Sequence, residues 1–311
     1  MAAMSLDDRR ALGTLELRLR IILPKEYQDS YEALEPVPMK SAGLKYREDG
    51  RVAWNDIWGS FCDLAMAGGP PHKGKLLEPG SAQAIAKDPE RYEEVAEEVC
   101  RGVRMTTDLD AEPSPTPGWV RVLGLNDGMA GWLLRAIAME NVAVHREGLT
   151  LDLPAAPHFR LEKEIKNVIT VIAKTTHYWL GHMPASQQRA ITNLFTRMSK
   201  ESPLVTPALA TDDAVETKAQ EDLRIKIADA MHRAVGLPLS ALRYAGWIGV
   251  AYPTVPAAIW MMRSMVVSNV LARREETALF VPLNPSIDPS GDLVTATVTR
   301  VHHLAVAKNI L

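Results

Sequence analysis

"GWVRVLGLNDGMAGWLLRAIAMENVAVHREGLTLDLPAAP" (118–157) aligns without a gap on "GWIGVAYPTVPAAIWMMRSMVVSNVLARREETALFVPLNP" (246–285) at a shift of 128 residues. Thirteen of the forty pairs are identical, among them Trp119/Trp247, Trp132/Trp260, Arg135/Arg263, Asn141/Asn269, Arg146/Arg274 and Glu147/Glu275. Average residue usage would give roughly two or three matches by chance. The chain therefore contains a duplication, and its reading decides the fold.

Each copy opens with a short strand ("GWVRVLG"), and an apolar helix follows whose start is marked by Asn126 or Thr254, both good helix caps. Two strand-like runs then flank His145–Gly148, and a long helix begins at "PHFRLEKEIKNVITVIAKTTHYW". In that helix Leu161, Ile165, Val168 and Ile172 fall on one face. Strand, helix, strand, strand, helix is most of a ferredoxin-like module. The alignment also settles the uncharged run "YAGWIGVAYPTVPAAIWMM" (244–262), whose length alone would suit a membrane span. Its partner copy carries Asp127 and Arg135 at the equivalent places, so the run reads as strand, turn and buried helix, with no membrane association.

Working outward, "TLELRLRIIL" alternates, with Leu15, Leu17, Leu19 and Ile21 on one side, and predicts a half-buried strand. "GLKYREDGRVAW" carries a hairpin signal at Asp49-Gly50. A helix-like stretch "NDIWGSFCDLAMA", the loop "GGPPHKG", a short strand "KLLE" and the helix "DPERYEEVAEEVCRGVRM" follow, the last with Val95, Ala96, Val99 and Val103 in one stripe. A fainter third copy is read here, with Asn55 in the place of Asn126. Proline-rich polar stretches at 108–117 and 200–216 act as linkers. The expected architecture is α+β: tandem ferredoxin-like modules, antiparallel sheets with helices on one face, over 1–107, 118–199 and 217–311, related by internal pseudo-symmetry. Pairing of exposed sheet edges makes a homo-oligomer the expected assembly.

A net charge of -3 and a charged fraction of 23% leave no excess of positive charge for nucleic acid. The start "MAAMSLDDRRALG" shows neither a basic segment nor an apolar one, and Cys62 and Cys100 form no zinc spacing or disulfide framework. A cytoplasmic protein is the expectation. No GxSxG, HExxH, GxGxxG or CxxC occurs.

Candidate chemistry starts at "GGPPHKGK" (68–75), where two glycines and two prolines present His72, Lys73 and Lys75 near one point. The plainer reading is a helix end followed by a tight connection. Residues that differ between the copies are the better functional suspects: Asp127 against Val255, Glu140 against Ser268, His145 against Arg273. Arg135 and Arg146 recur in both copies, suiting either structural pairs or a shared anion site. His177 and His182, five apart, point about 140° away from each other on a regular helix, and no metal set is expected. The expectation is a small anionic or planar organic ligand between modules, with His72, Asp127 and His145 as catalytic groups and Lys73, Lys75, Arg135 and Arg146 as ligand-binding groups. A non-catalytic binding or regulatory protein and an assembly subunit are the alternatives, and the sequence implies no particular cofactor.

Overall fold

The computed structural model describes residues 4–31, 42–60, 63–209 and 216–311. It is a mixed helix and sheet protein with antiparallel sheets, of the α+β class. In chain order the elements are α1 (Leu6–Ile22), α2 (Ala82–Lys87), α3 (Pro89–Thr107), β1 (Ala111–Pro113), β2 (Trp119–Val122), α4 (Asp127–Met139), β3 (His145–Glu147), β4 (Thr150–Pro154) and α5 (Lys166–His177). They continue with α6 (Ala185–Glu201), α7 (Lys218–Val235), β5 (Trp247–Ala251), α8 (Val255–Val266), β6 (Arg273–Glu275), β7 (Ala278–Pro282) and α9 (Asp292–Ala307). By contact the chain forms two compact units, Pro24–Thr192 (the central unit) and Met1–Leu23 with Asn193–Leu311 (the terminal unit).

In the central unit the sheet order is β1-β2-β4-β3, antiparallel throughout, with His145 and Arg121 both in register with Asp152. Helix α4 packs on β3, β4 and α5, while α3 packs on β1, β2 and α5. The stripe Val95, Ala96, Val99 and Val103 is buried, as are Trp54, Trp132 and Trp179. In the terminal unit the order is β5-β7-β6; α7 and α8 both pack on α9, and α1 lies against α8 and α9.

β2/β5, α4/α8, β3/β6 and β4/β7 start 128 residues apart, while β1 has no counterpart among the described strands of the terminal unit. Both middle helices are capped as read: Asn126 accepts from Met129 N at 2.9 Å and Thr254 from Ala257 N at 3.2 Å. Leu77 bridges Val142 and Val205 bridges Val270, each in parallel. Gly118 and Gly246 take positive φ of 89° and 73°, and a Cβ there would meet Gly80 O at 2.5 Å and Ala208 O at 2.8 Å. The 244–262 run resolves into β5 and the start of α8, and among the described residues no helix is long and apolar enough to cross a membrane.

Three expectations are corrected. "TLELRLRIIL" is helix, not strand: Ser5 caps α1 by accepting from Asp8 N at 3.0 Å, and Asp7 and Asp8 sit in its first turn. Leucine, arginine and glutamate all favour helix, so the alternation was coincidental. Burial at Leu19 and Ile22 with Leu17 61% exposed follows the helical period. Asn55 caps no α-helix; it lies inside the 3-10 helix Trp54–Ser60. "KLLE" contributes only the single bridge at Leu77, and among the described residues no strand precedes Ala111. The hairpin at Asp49-Gly50 is present as one antiparallel bridge, Tyr46 to Val52.

Candidate functional site

The loop read as the most unusual in the chain is held by one residue of α4's end. Glu140, the C-cap of α4, is fully buried and its Oε1 lies 2.8 Å from Nζ of Lys174, itself fully buried on α5. The same carboxylate accepts from the backbone N–H of Ala65 at 2.9 Å and of His72 at 2.8 Å. Glu140 O accepts from Lys73 N at 3.2 Å, and Asn141 Nδ2 donates to Lys73 O at 2.8 Å. Asn141 is in left-handed backbone (φ 60°), a conformation asparagine tolerates better than other residues with a Cβ. Residues 63–75 are thereby fixed by a carboxylate whose acceptor capacity is largely used.

His72 and Lys73 come together with lysines of α5. Burial pushes the His72 imidazole down to about 3, helped by the charges of Lys174, Lys73 and Lys166 against an opposing side-chain hydrogen bond with Asn167. His72 is therefore neutral at neutral pH among three ammonium groups. Lys166 is buried and donates to Ala42 O, with Glu162 as its nearby acid. Lys75 is exposed.

Asp127, His145 and Arg146 form a different group, because Asp127 begins α4 and Glu140 ends it, about 20 Å apart at helical rise. Asp127 and the His72 loop thus stand at opposite ends of one helix. Asp127 pairs with Arg146 at 2.5 Å. Asp152 is clamped by Arg121 through Nε at 2.9 Å and Nη2 at 3.0 Å, with His145 Nδ1 3.7 Å away; Arg121 also reaches Glu147 at 2.7 Å. Burial would raise the Asp152 carboxyl, but the bonds from His145 and Arg121 outweigh it and hold it below the usual range. These are cross-strand neighbours, which suits sheet stabilisation as well as binding. Arg135 is buried in the middle of α4 and donates to Gly131 O at 2.9 Å; burial and the charge of Arg146 lower it to about 9.

The constellation that sequence reasoning missed lies at the end of α5. There the chain widens into a π turn, Tyr178–His182, whose backbone bonds run five residues apart, and Gln188 Nε2 satisfies the carbonyls of Trp179 and Met183 at 2.9 and 3.0 Å. A residue five positions on then returns to the same face. His177 and His182, expected to diverge, instead meet Nε2 to Nε2 at 3.1 Å. His182 Nδ1 lies 2.6 Å from Glu26 Oε1. Beside them Tyr178 and Tyr27 share a hydroxyl contact at 2.7 Å, and Tyr27 donates to Asp63 at 2.9 Å. Trp58, 44% exposed, stands edge-on to His177 with centroids 5.3 Å apart. Burial and the neighbouring His182 push His177 down, against the pull of Glu26. Burial raises both tyrosines far from ionisation at neutral pH.

Among the described residues no group of three or more His, Cys, Asp or Glu is placed to hold a metal ion. Cys100 is buried and its thiol is pushed up to about 11, mainly by burial, so it is a poor nucleophile; Cys62 lies outside the described residues. Clefts of about 270 Å³ around Arg51, Arg91 and Glu98, and about 380 Å³ between α1 and α9, share no lining residue with either histidine group. No family model, curated protein or solved structure matches this chain.

Proposed function

We propose that the central unit binds a small anionic organic ligand at the 68–75 loop. The observation that carries this is His72 set among Lys73, Lys166 and Lys174, with Glu140 paired to Lys174 and Glu162 near Lys166. With Lys174 neutralised by Glu140, the remaining ammonium groups about an uncharged imidazole leave a net positive field that favours an anionic guest, and Lys75 at the exposed end of the loop adds to the attraction. Asp127, about 20 Å along α4 from Glu140, and Arg146, which pairs with it, lie away from this loop; with His145 and the buried Arg135 they remain proposals for a second contact surface around Arg121 and Asp152.

Titration of the protein with inorganic phosphate and pyrophosphate, followed by the ring nitrogens of His72, tests this reading. Binding is expected to move His72 toward the ordinary histidine range, and Lys73→Ala to weaken affinity by about 10-fold, the worth of one charge-assisted contact. An unmoved His72 with saturating pyrophosphate overturns it.

The same reading takes 118–199 and 217–311 as duplicated modules. Support comes from the twofold recurrence of the left-handed Asn141 and Asn269 (φ 60° and 61°) and of the parallel bridges. The order β1-β2-β4-β3 supports a ferredoxin-like reading in which β1 takes the place of the fourth strand. Edge strands β3 and β6 span three residues each, a length that discourages edge pairing between copies, so a homo-oligomer would have to use another surface. Cytoplasmic residence, with Cys100 as a thiol, belongs to this reading too.

A further inference from the structure

Glu26, His182 and His177 form a chain of two hydrogen bonds, 2.6 Å and 3.1 Å long, that ends beside an exposed tryptophan. The bonds set the tautomers. A carboxylate can only accept, so the Nδ1 of His182 carries a proton toward Glu26, and in the neutral ring its Nε2 is then an acceptor. His177 must therefore present Nε2–H to His182, which makes Nδ1 the lone-pair nitrogen of His177. A base oriented by a second group, itself oriented by a carboxylate, is the arrangement that general acid–base catalysis requires.

We propose that His177, relayed through His182 and positioned by Glu26, is the general base of a proton-transfer site for a planar organic substrate lying against Trp58. In the step an O–H or N–H bond of the substrate, or of a water attacking it, breaks and its proton joins Nδ1 of His177. The Nε2–H bond of His177 breaks in concert and that proton joins Nε2 of His182. The electron pair of the broken bond stays on the substrate or water oxygen or nitrogen. The resulting imidazolium of His182 faces Glu26, which offsets its charge, and the reverse transfers return the proton to the product. Glu26 is a positioning residue here, and only His177 touches the reacting atoms. Trp58 supplies a flat face of the kind that holds aromatic guests. The placement depends on the π turn, since such turns, rare in helices, gather at functional sites. This inference uses none of the residues of the anion site at His72 and stands or falls separately from it.

The test uses p-nitrophenyl acetate, an ester with a planar ring, and the full-length chain. The protein is expected to release nitrophenolate faster than an equal concentration of free imidazole at the same pH. His177→Gln is expected to lower kcat about 100-fold, at the lower edge of what a positioned base contributes. Glu26→Gln should lower kcat with KM held, and Trp58→Ala should raise KM with kcat held. A wild-type rate equal to that of imidazole, or a His177→Gln rate equal to wild type, overturns the proposal. Nitrogen shifts of the unaltered protein give a readout that needs no variant to fold. Protons on Nδ1 of His182 and Nε2 of His177 support the relay; the opposite tautomers overturn it. The phosphate titration at His72 is read independently, so failure of one experiment leaves the other intact.

Discussion

Glu140 shows how much a single side chain can organise. Its carboxylate is fully buried, yet it meets an ammonium and two backbone N–H groups, so its desolvation is matched by bonds that reach 68 and 75 residues back along the chain. Removing Lys174 would leave that charge uncompensated. Lys174→Met is expected to destabilise the protein by about 3–5 kcal/mol, measured by urea unfolding. Glu140→Leu combined with Lys174→Met should recover only part of the loss, because Ala65 and His72 would still have unpaired N–H groups. Asn141 offers a finer comparison: it combines left-handed backbone with a side-chain bond to Lys73 O. Asn141→Gly keeps the backbone and loses the bond, whereas Asn141→Ala loses both. Alanine should therefore cost about 1–2 kcal/mol more than glycine at this position, read from the same unfolding curves.

Among the elements, the close contact of α3 with α5 is one that sequence could not announce. A Cβ on Gly102 would lie 2.1 Å from Cδ1 of Ile169 and 2.6 Å from its Cγ1. Gly102→Ala is thus expected to destabilise by about 1–3 kcal/mol through overpacking, and Ile169→Val should relieve part of that in a double-mutant cycle on unfolding free energies. Legibility from sequence divides along the same line. Elements with an internal signal were readable: the α4 and α8 caps, the β3–β4 and β6–β7 runs, and the apolar stripe of α3 follow from periodicity and cap chemistry. In α1 the leucines spaced by two belong to a helix whose capping by Ser5 outweighed an accidental alternation. Glu140 stood out because its partner copy holds Ser268, but Lys174 and Glu26 carried no local mark. His177 and His182 were misjudged for one physical reason: the angle between them was taken from a regular helix, and the chain there is a π turn.

Over the whole molecule the consequence is a dependence on acid. His72 sits near 3 in the folded protein against 6.5 for an unperturbed histidine, so between these values the unfolded chain binds a proton that the folded chain refuses. Stability from this group is complete above about pH 6.5 and is lost as pH falls toward 3, with a slope of at most about 1.4 kcal/mol per pH unit. Unfolding free energies measured from pH 7 to pH 4 are expected to fall along this slope, and His72→Gln should flatten it. An unchanged slope in that variant would assign the acid sensitivity elsewhere.

The π turn at Tyr178–His182 also bears on how the histidine pair could arise. A π turn accommodates one residue more than a regular turn, and each residue of an ordinary helix advances its side chain by about 100°. Losing the codon for Gly181 would let the segment close into regular helix and leave the two imidazoles four residues apart, about 40° from each other and still on one face. In genetic terms the extra residue of the π turn could be gained or lost in one three-base event without separating the two imidazoles, so the pairing can be older than the turn that now carries it.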